Sequence, residues 1–220
     1  MRNNVFLRTA TDETEISSAR YNLIIGACLV WGFVINYLIV TGIDPRVLQS
    51  TNTIVFLLAY FGLCFAGIWL FNHSTKPLYS FIGYNLVVIP FGFCLNLIIS
   101  AYDPYIVSNA IQLTGGVTLI MMILGTLYPQ FFSSIIKSIS VILLITIIVE
   151  VIMVLFMRKS SAIIDWIIAL CFCGYIGYDW GRANRIPKTT DNAIDSAAAI
   201  YMDIINLFVR ILRIMGRRRR

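Results

Sequence analysis

Charge is what this sequence has least of. Asp, Glu, Lys and Arg supply 13% of the 220 residues, against 59% hydrophobic residues and a mean hydropathy of +0.82. Soluble domains carry about 25% charged and 45–50% apolar residues, so a soluble domain is excluded. Histidine occurs once, and His73 sits in a loop where it needs no ligand role. No hydrolase triad, phosphate loop, haem motif or zinc signature is present. The five cysteines, Cys28, Cys64, Cys94, Cys171 and Cys173, are odd in number and all lie inside apolar segments, which excludes a disulfide framework. Cys171-x-Cys173 has no second pair and no neighbouring histidine, so it reads as buried hydrophobe rather than metal ligand. The polar start, MRNNVFLRTATDETEISSAR, lacks both an apolar core and a small-residue cleavage site, so it is not a signal peptide. Asn72-His73-Ser74 matches a glycosylation sequon, a tripeptide common enough to arise by chance.

What the chain has is long apolar blocks. Seven can be marked: Tyr21–Thr41, Thr53–Phe71, Leu78–Ala101 with a kink expected at Pro90, Tyr105–Tyr128, Phe132–Met157, Ala162–Trp180 and the less apolar Ala193–Met215. Each approaches or exceeds the roughly 20 residues needed to cross a hydrocarbon core. Backbone hydrogen bonds must close internally in lipid, so the spans are helices. The sequence therefore predicts an all-α integral membrane protein, with a polar arm (1–20), a seven-segment transmembrane domain (21–216) and a basic tail (217–220).

Placing the N-terminus in the cytoplasm puts Arg2, Arg8, Arg20, Lys76, Lys137, Arg182, Arg185 and Lys188 inside and Arg46, Arg158 and Lys159 outside. That bias favours a cytoplasmic N-terminus in a bacterial inner membrane, provided the seventh segment re-enters rather than crosses. The net charge of +6 is concentrated in Arg210, Arg213 and Arg217–Arg220. No basic face suited to nucleic acid accompanies it; the expected partners are the lipid bilayer and its anionic headgroups, at about 1 kcal/mol per basic residue, or a role as topology signal.

Acidic residues at membrane depth are functional candidates by default, since one at a helix centre costs roughly 2.5–3.5 kcal/mol to insert. Asp179 closes the sixth segment and Asp203 lies inside the seventh. The seventh segment repeats Asp195, Ala199, Asp203, Asn206, Arg210 and Arg213 at intervals of three and four, which forms one polar stripe. The alternative for this segment is an amphipathic helix lying along the interface. If Asp179 and Asp203 face each other they cannot both ionise cheaply away from water, and one proton is shared between them. Glu150 is a third acid at depth, expected to meet a Ser, Thr or Asn, or to serve as a further pathway carboxylate; Asp165, one turn from Arg158-Lys159, is expected at the interface.

Tyr178-Asp179, followed after a polar loop by Ala199-Ile200-Tyr201-Met202-Asp203-Ile204-Ile205-Asn206-Leu207-Phe208 and Ile211-Leu212-Arg213, resembles the signature of the Bax inhibitor family, of bacterial type. The close match covers the last forty residues or so, and the hydropathy of the whole chain agrees with it. The resemblance implies a helical bundle with the last helix central and a pH-sensitive calcium leak gated by the pair Asp179 and Asp203. Asp195, Asn206, Arg213 and Glu150 are possible pathway or supporting residues. The chain departs from the family pattern in its second span, Thr53–Phe71, which holds no charge where some bacterial members carry one.

Calcium takes six to eight oxygen ligands, so two carboxylates support only a weak, transient site for it as permeating ion; no cofactor is expected, and calcium ions and protons are the expected small partners. Two other functions compete. One is a non-conducting regulator acting through protein partners, distinguished by absence of ion flux. The other is an intramembrane aspartyl protease, disfavoured because Ile200-Tyr201-Met202 stands where its second aspartate follows a Gly-x-Gly.

Overall fold

A computed structural model describes residues 14–158 and 161–217. Most of the polar arm, Lys159 and the tail beyond Arg217 lie outside the described residues. Among those described there are eight helices and no strand: α1 (Ser18–Gly42), α2 (Pro45–Gln49), α3 (Thr53–His73), α4 (Pro77–Ile99), α5 (Pro104–Leu127), α6 (Pro129–Met157), α7 (Ala162–Ala183) and α8 (Thr190–Arg217). The chain is an all-α membrane protein, and α1, α3, α4, α5, α6 and α7 are long and apolar enough to cross a bilayer.

Local chemistry sets the helix starts. Four of the six prolines stand in the first turn, of α2, α4, α5 and α6, where the missing N–H has no helical acceptor to lose. Asp44, Asn52 and Asp103 accept N–H groups from the first turns of α2, α3 and α5, and Thr189 Oγ1 accepts from Asn192 N at 3.1 Å to cap α8. The link between the first two apolar segments contains the extra helix α2, nucleated by this Asp-Pro cap. The helix of the third span runs through Pro90 without interruption. Ser17 caps α1, so the last three residues assigned to the polar arm are helical.

The contacts form two compact units. One holds α1–α4 with the first part of α8, as far as Ala199; the other holds α5–α7 with α8 from Ile200. In the first unit Tyr21 OH lies 3.1 Å from Ser196 Oγ, and Ser80 Oγ donates to Asp191 Oδ1 at 2.7 Å, joining α1 and α4 to the start of α8. Asn96 Nδ2 reaches the carbonyls of Ile39 and Ile43 at the end of α1, at 3.2 and 2.9 Å.

In the second unit α5 and α7 meet at glycines. A Cβ on Gly125 would strike the Gly177 carbonyl, and one on Gly181 would lie 2.8 Å from the Gly125 carbonyl. Small residues let helix backbones approach closely where lipid supplies no hydrophobic drive between helices. Gly115 and Gly116, on the same α5, face open space. Gly125→Ala should therefore destabilise the protein by about 1–3 kcal/mol, the usual range for overpacking. Gly116→Ala should be neutral or slightly stabilising, because it gains helix propensity at no steric expense. Thermal unfolding in detergent compares the two.

Outward-facing side chains are apolar over most of α3 and α6, including Ile54, Leu58, Phe65, Leu144, Val151 and Leu155. Exposed apolar surface on that scale belongs against lipid. α8 is the opposite: from Ala193 to Ile205 nearly every residue is buried.

Candidate functional site

The last two helices of the second unit run antiparallel, and their polar residues fix the register. At one end Asp179 of α7 meets Asp203 of α8, carboxyl to carboxyl. At the other, Asp165 of α7 takes Arg217 of α8 at 3.0 Å. Both intervals, 165 to 179 and 203 to 217, are fourteen residues, or about 21 Å at 1.5 Å per residue. The second half of α8 therefore traverses most of the length of α7 and does not turn back within this stretch.

Asp179 and Asp203 are each only 7% exposed. No donor group among the described residues supplies a hydrogen bond to Asp203 Oδ2. Two carboxylate oxygens repel, so contact between them requires a proton on one of the pair. Arg182, one turn beyond Asp179, places its guanidinium 3.2 Å from Asp179 Oδ1. One proton and one arginine leave the triad Asp179–Asp203–Arg182 neutral, an arrangement that survives removal from water. Sequence reasoning counted Arg182 only as a loop charge. The signal was available: it lies inside α7, three residues after Asp179, where i,i+3 side chains meet on a helix.

The other candidate residues separate into three places. Glu150 and Arg213 come together at 2.7 Å, and Arg210 reaches Glu150 at 2.8 Å and Asp165 at 3.0 Å. Glu150 thus pairs with arginines rather than with a neutral Ser, Thr or Asn. Asp165, in the first turn of α7, is fully buried at 0% exposure and within reach of Arg210, Arg213 and Arg217. Asn206 donates to the Met202 carbonyl of its own helix at 2.8 Å and does not join the aspartate pair. Asp195 is buried in the first unit, on the part of α8 that precedes Ala199.

Among the described residues no three His, Cys, Asp or Glu side chains gather as metal ligands. Two carboxyls beside an arginine supply too few oxygen ligands for a tight calcium site.

Comparison with known proteins agrees with the helical pattern. A family model described as "Inhibitor of apoptosis-promoting Bax1" matches residues 15–220. An uncharacterized membrane protein of Streptococcus pyogenes serotype M3 is 32% identical over 134 residues, covering 57% of this chain and 58% of the relative. The match thus spans little more than half of that curated relative's length. An uncharacterized membrane protein of Vibrio cholerae is 24% identical over 225 residues, 98% of this chain and 88% of its own. The "BI1-like protein" of Arabidopsis thaliana is 47% identical over 57 residues, 26% of this chain and 22% of the relative.

Proposed function

Because the chain belongs to the Bax inhibitor family, we propose that this multi-pass membrane protein is a pH-sensitive calcium leak whose gate is the contact between Asp179 and Asp203. The observation that carries the reading is the buried carboxyl–carboxyl contact, which exists only while one proton is held between the two groups. Loss of that proton sets two anions against each other; gain of a second removes the charge that Arg182 balances. Either change shifts the equilibrium between two packings of α7 and α8, a population shift driven by protonation. Calcium enters as cargo, touching the carboxylates transiently, and no step is catalytic.

The test is calcium flux into proteoliposomes across pH 5–9. The wild type should show a flux that varies with pH, and both Asp179→Asn and Asp203→Asn should lose the variation.

The likeness to plant proteins named BI1-like and LIFEGUARD 3 favours a second reading, a membrane regulator that acts through protein partners and conducts nothing. Absence of flux at every pH in correctly folded protein would select it.

A further inference from the structure

The charged cluster at the far end of α7 and α8 has no part in the proton contact, yet it holds two carboxylates and three guanidiniums inside the second unit. Asp203, Asn206, Arg210, Arg213 and Arg217 follow one another at spacings of three, four, three and four. At 100° per residue these five fall within roughly 80° of arc, a single narrow stripe along α8. A cation that leaves the aspartate pair along this polar line meets the first arginine, Arg210, about 10 Å away and the last, Arg217, about 21 Å away.

Charge counting gives the cluster its character. Arg210, Arg213 and Arg217 contribute three positive charges, and Glu150 and Asp165 two negative ones, which leaves +1. Every carboxylate there is occupied by at least two guanidiniums: Glu150 by Arg210 and Arg213, Asp165 by Arg210, Arg213 and Arg217. The acids that could receive a cation are therefore taken, and the residual charge repels one. Side-chain exposure rises outward along the helix, from 16% at Arg210 through 25% at Arg213 to 30% at Arg217, so the excess positive charge stands at the more open end.

The geometry points to this cluster as an electrostatic plug: a second, pH-independent constriction in series with the aspartate pair, where the excess of arginine over acid sets how readily a divalent cation passes. The inference rests on the leak reading above and assigns Glu150, Asp165, Arg210, Arg213 and Arg217 as the residues that determine cation passage at that end.

The experiment measures calcium flux in proteoliposomes for wild type, Arg213→Gln, Glu150→Gln and the double variant, each first shown to be folded by thermal unfolding and size exclusion. Arg217→Gln, at the outermost and least buried position, replaces Arg213→Gln should the latter not fold. Removing one positive charge should raise flux on the order of a hundredfold, the effect of a unit charge on a divalent cation at about 10 Å through an effective dielectric near 20. Glu150→Gln, which increases the excess to two, should lower it, and the double variant should fall between the single ones. The pH profile should keep its shape throughout. Equal increases in both single variants would show a packing role and overturn the plug. A pH-dependent wild type whose rate no cluster variant changes would overturn the plug alone. Absence of flux from every protein at every pH would overturn both the plug and the leak reading on which it rests.

Discussion

Asp203→Asn is expected to fold and to conduct calcium with a flat pH profile. The side chain is isosteric, and its amide can donate permanently to Asp179, the contact that the shared proton makes in the wild type. What the variant loses is a proton that can leave or be joined by another. A hydrogen bond to a charged group contributes roughly 1.5–3 kcal/mol, and losing it changes the balance of two packings by about ten- to a hundredfold. That span is the variation with pH that the wild type should show and the variant should not. Asp179→Asn should flatten the profile too, with an added stability loss because Arg182 loses its direct carboxylate partner 3.2 Å away. Flux measured side by side at the two ends of the pH range checks both; an unchanged profile in either folded variant would count against the gate.

The largest loss of stability is expected from Asp165→Ala. This carboxylate is completely buried and lies within 3.0–3.4 Å of three guanidiniums. Removing one partner of a buried ion pair costs about 3–5 kcal/mol, because the opposite charge is left behind in a low-dielectric site. Here Glu150 alone would remain to offset Arg210, Arg213 and Arg217. By contrast, Asp103→Ala removes an exposed cap of α5, with an expected loss of about 1 kcal/mol. Chemical or thermal unfolding of the two variants in the same detergent gives the comparison. Equal, small effects would mean that the network contributes nothing to folding.

The spans were legible because lipid imposes a length and an apolar composition on every crossing helix. The end of α7 was placed at Trp180 rather than Ala183, and the start of α8 at Ala193 rather than Thr190, because polar residues such as Arg182 and Asn192 were taken as loop although they extend the helices. The short helix α2 was passed over, although Asp44-Pro45 is a strong start signal. The candidate aspartates were readable because burying acid in an apolar run is costly; their partners were not. Asp165 and Arg210 are 45 residues apart and Glu150 and Arg213 are 63 apart, and helical spacing says nothing about which faces of separate helices meet. Orientation was lost for a physical reason as well. If the seventh segment crosses, the four terminal arginines join Arg46, Arg158 and Lys159, and the basic residues divide eight to seven between the two sides. So even a division exerts almost no topological preference.

Infrared spectroscopy of the protein with isotope-labelled aspartate offers the most direct view of the Asp179–Asp203 contact. At neutral pH a protonated carboxyl band should be present, because the contact between Asp179 and Asp203 holds one proton. It should fade as pH rises and be altered in Asp203→Asn. A neutral-pH spectrum with every aspartate ionised would contradict the shared proton and, with it, the gate.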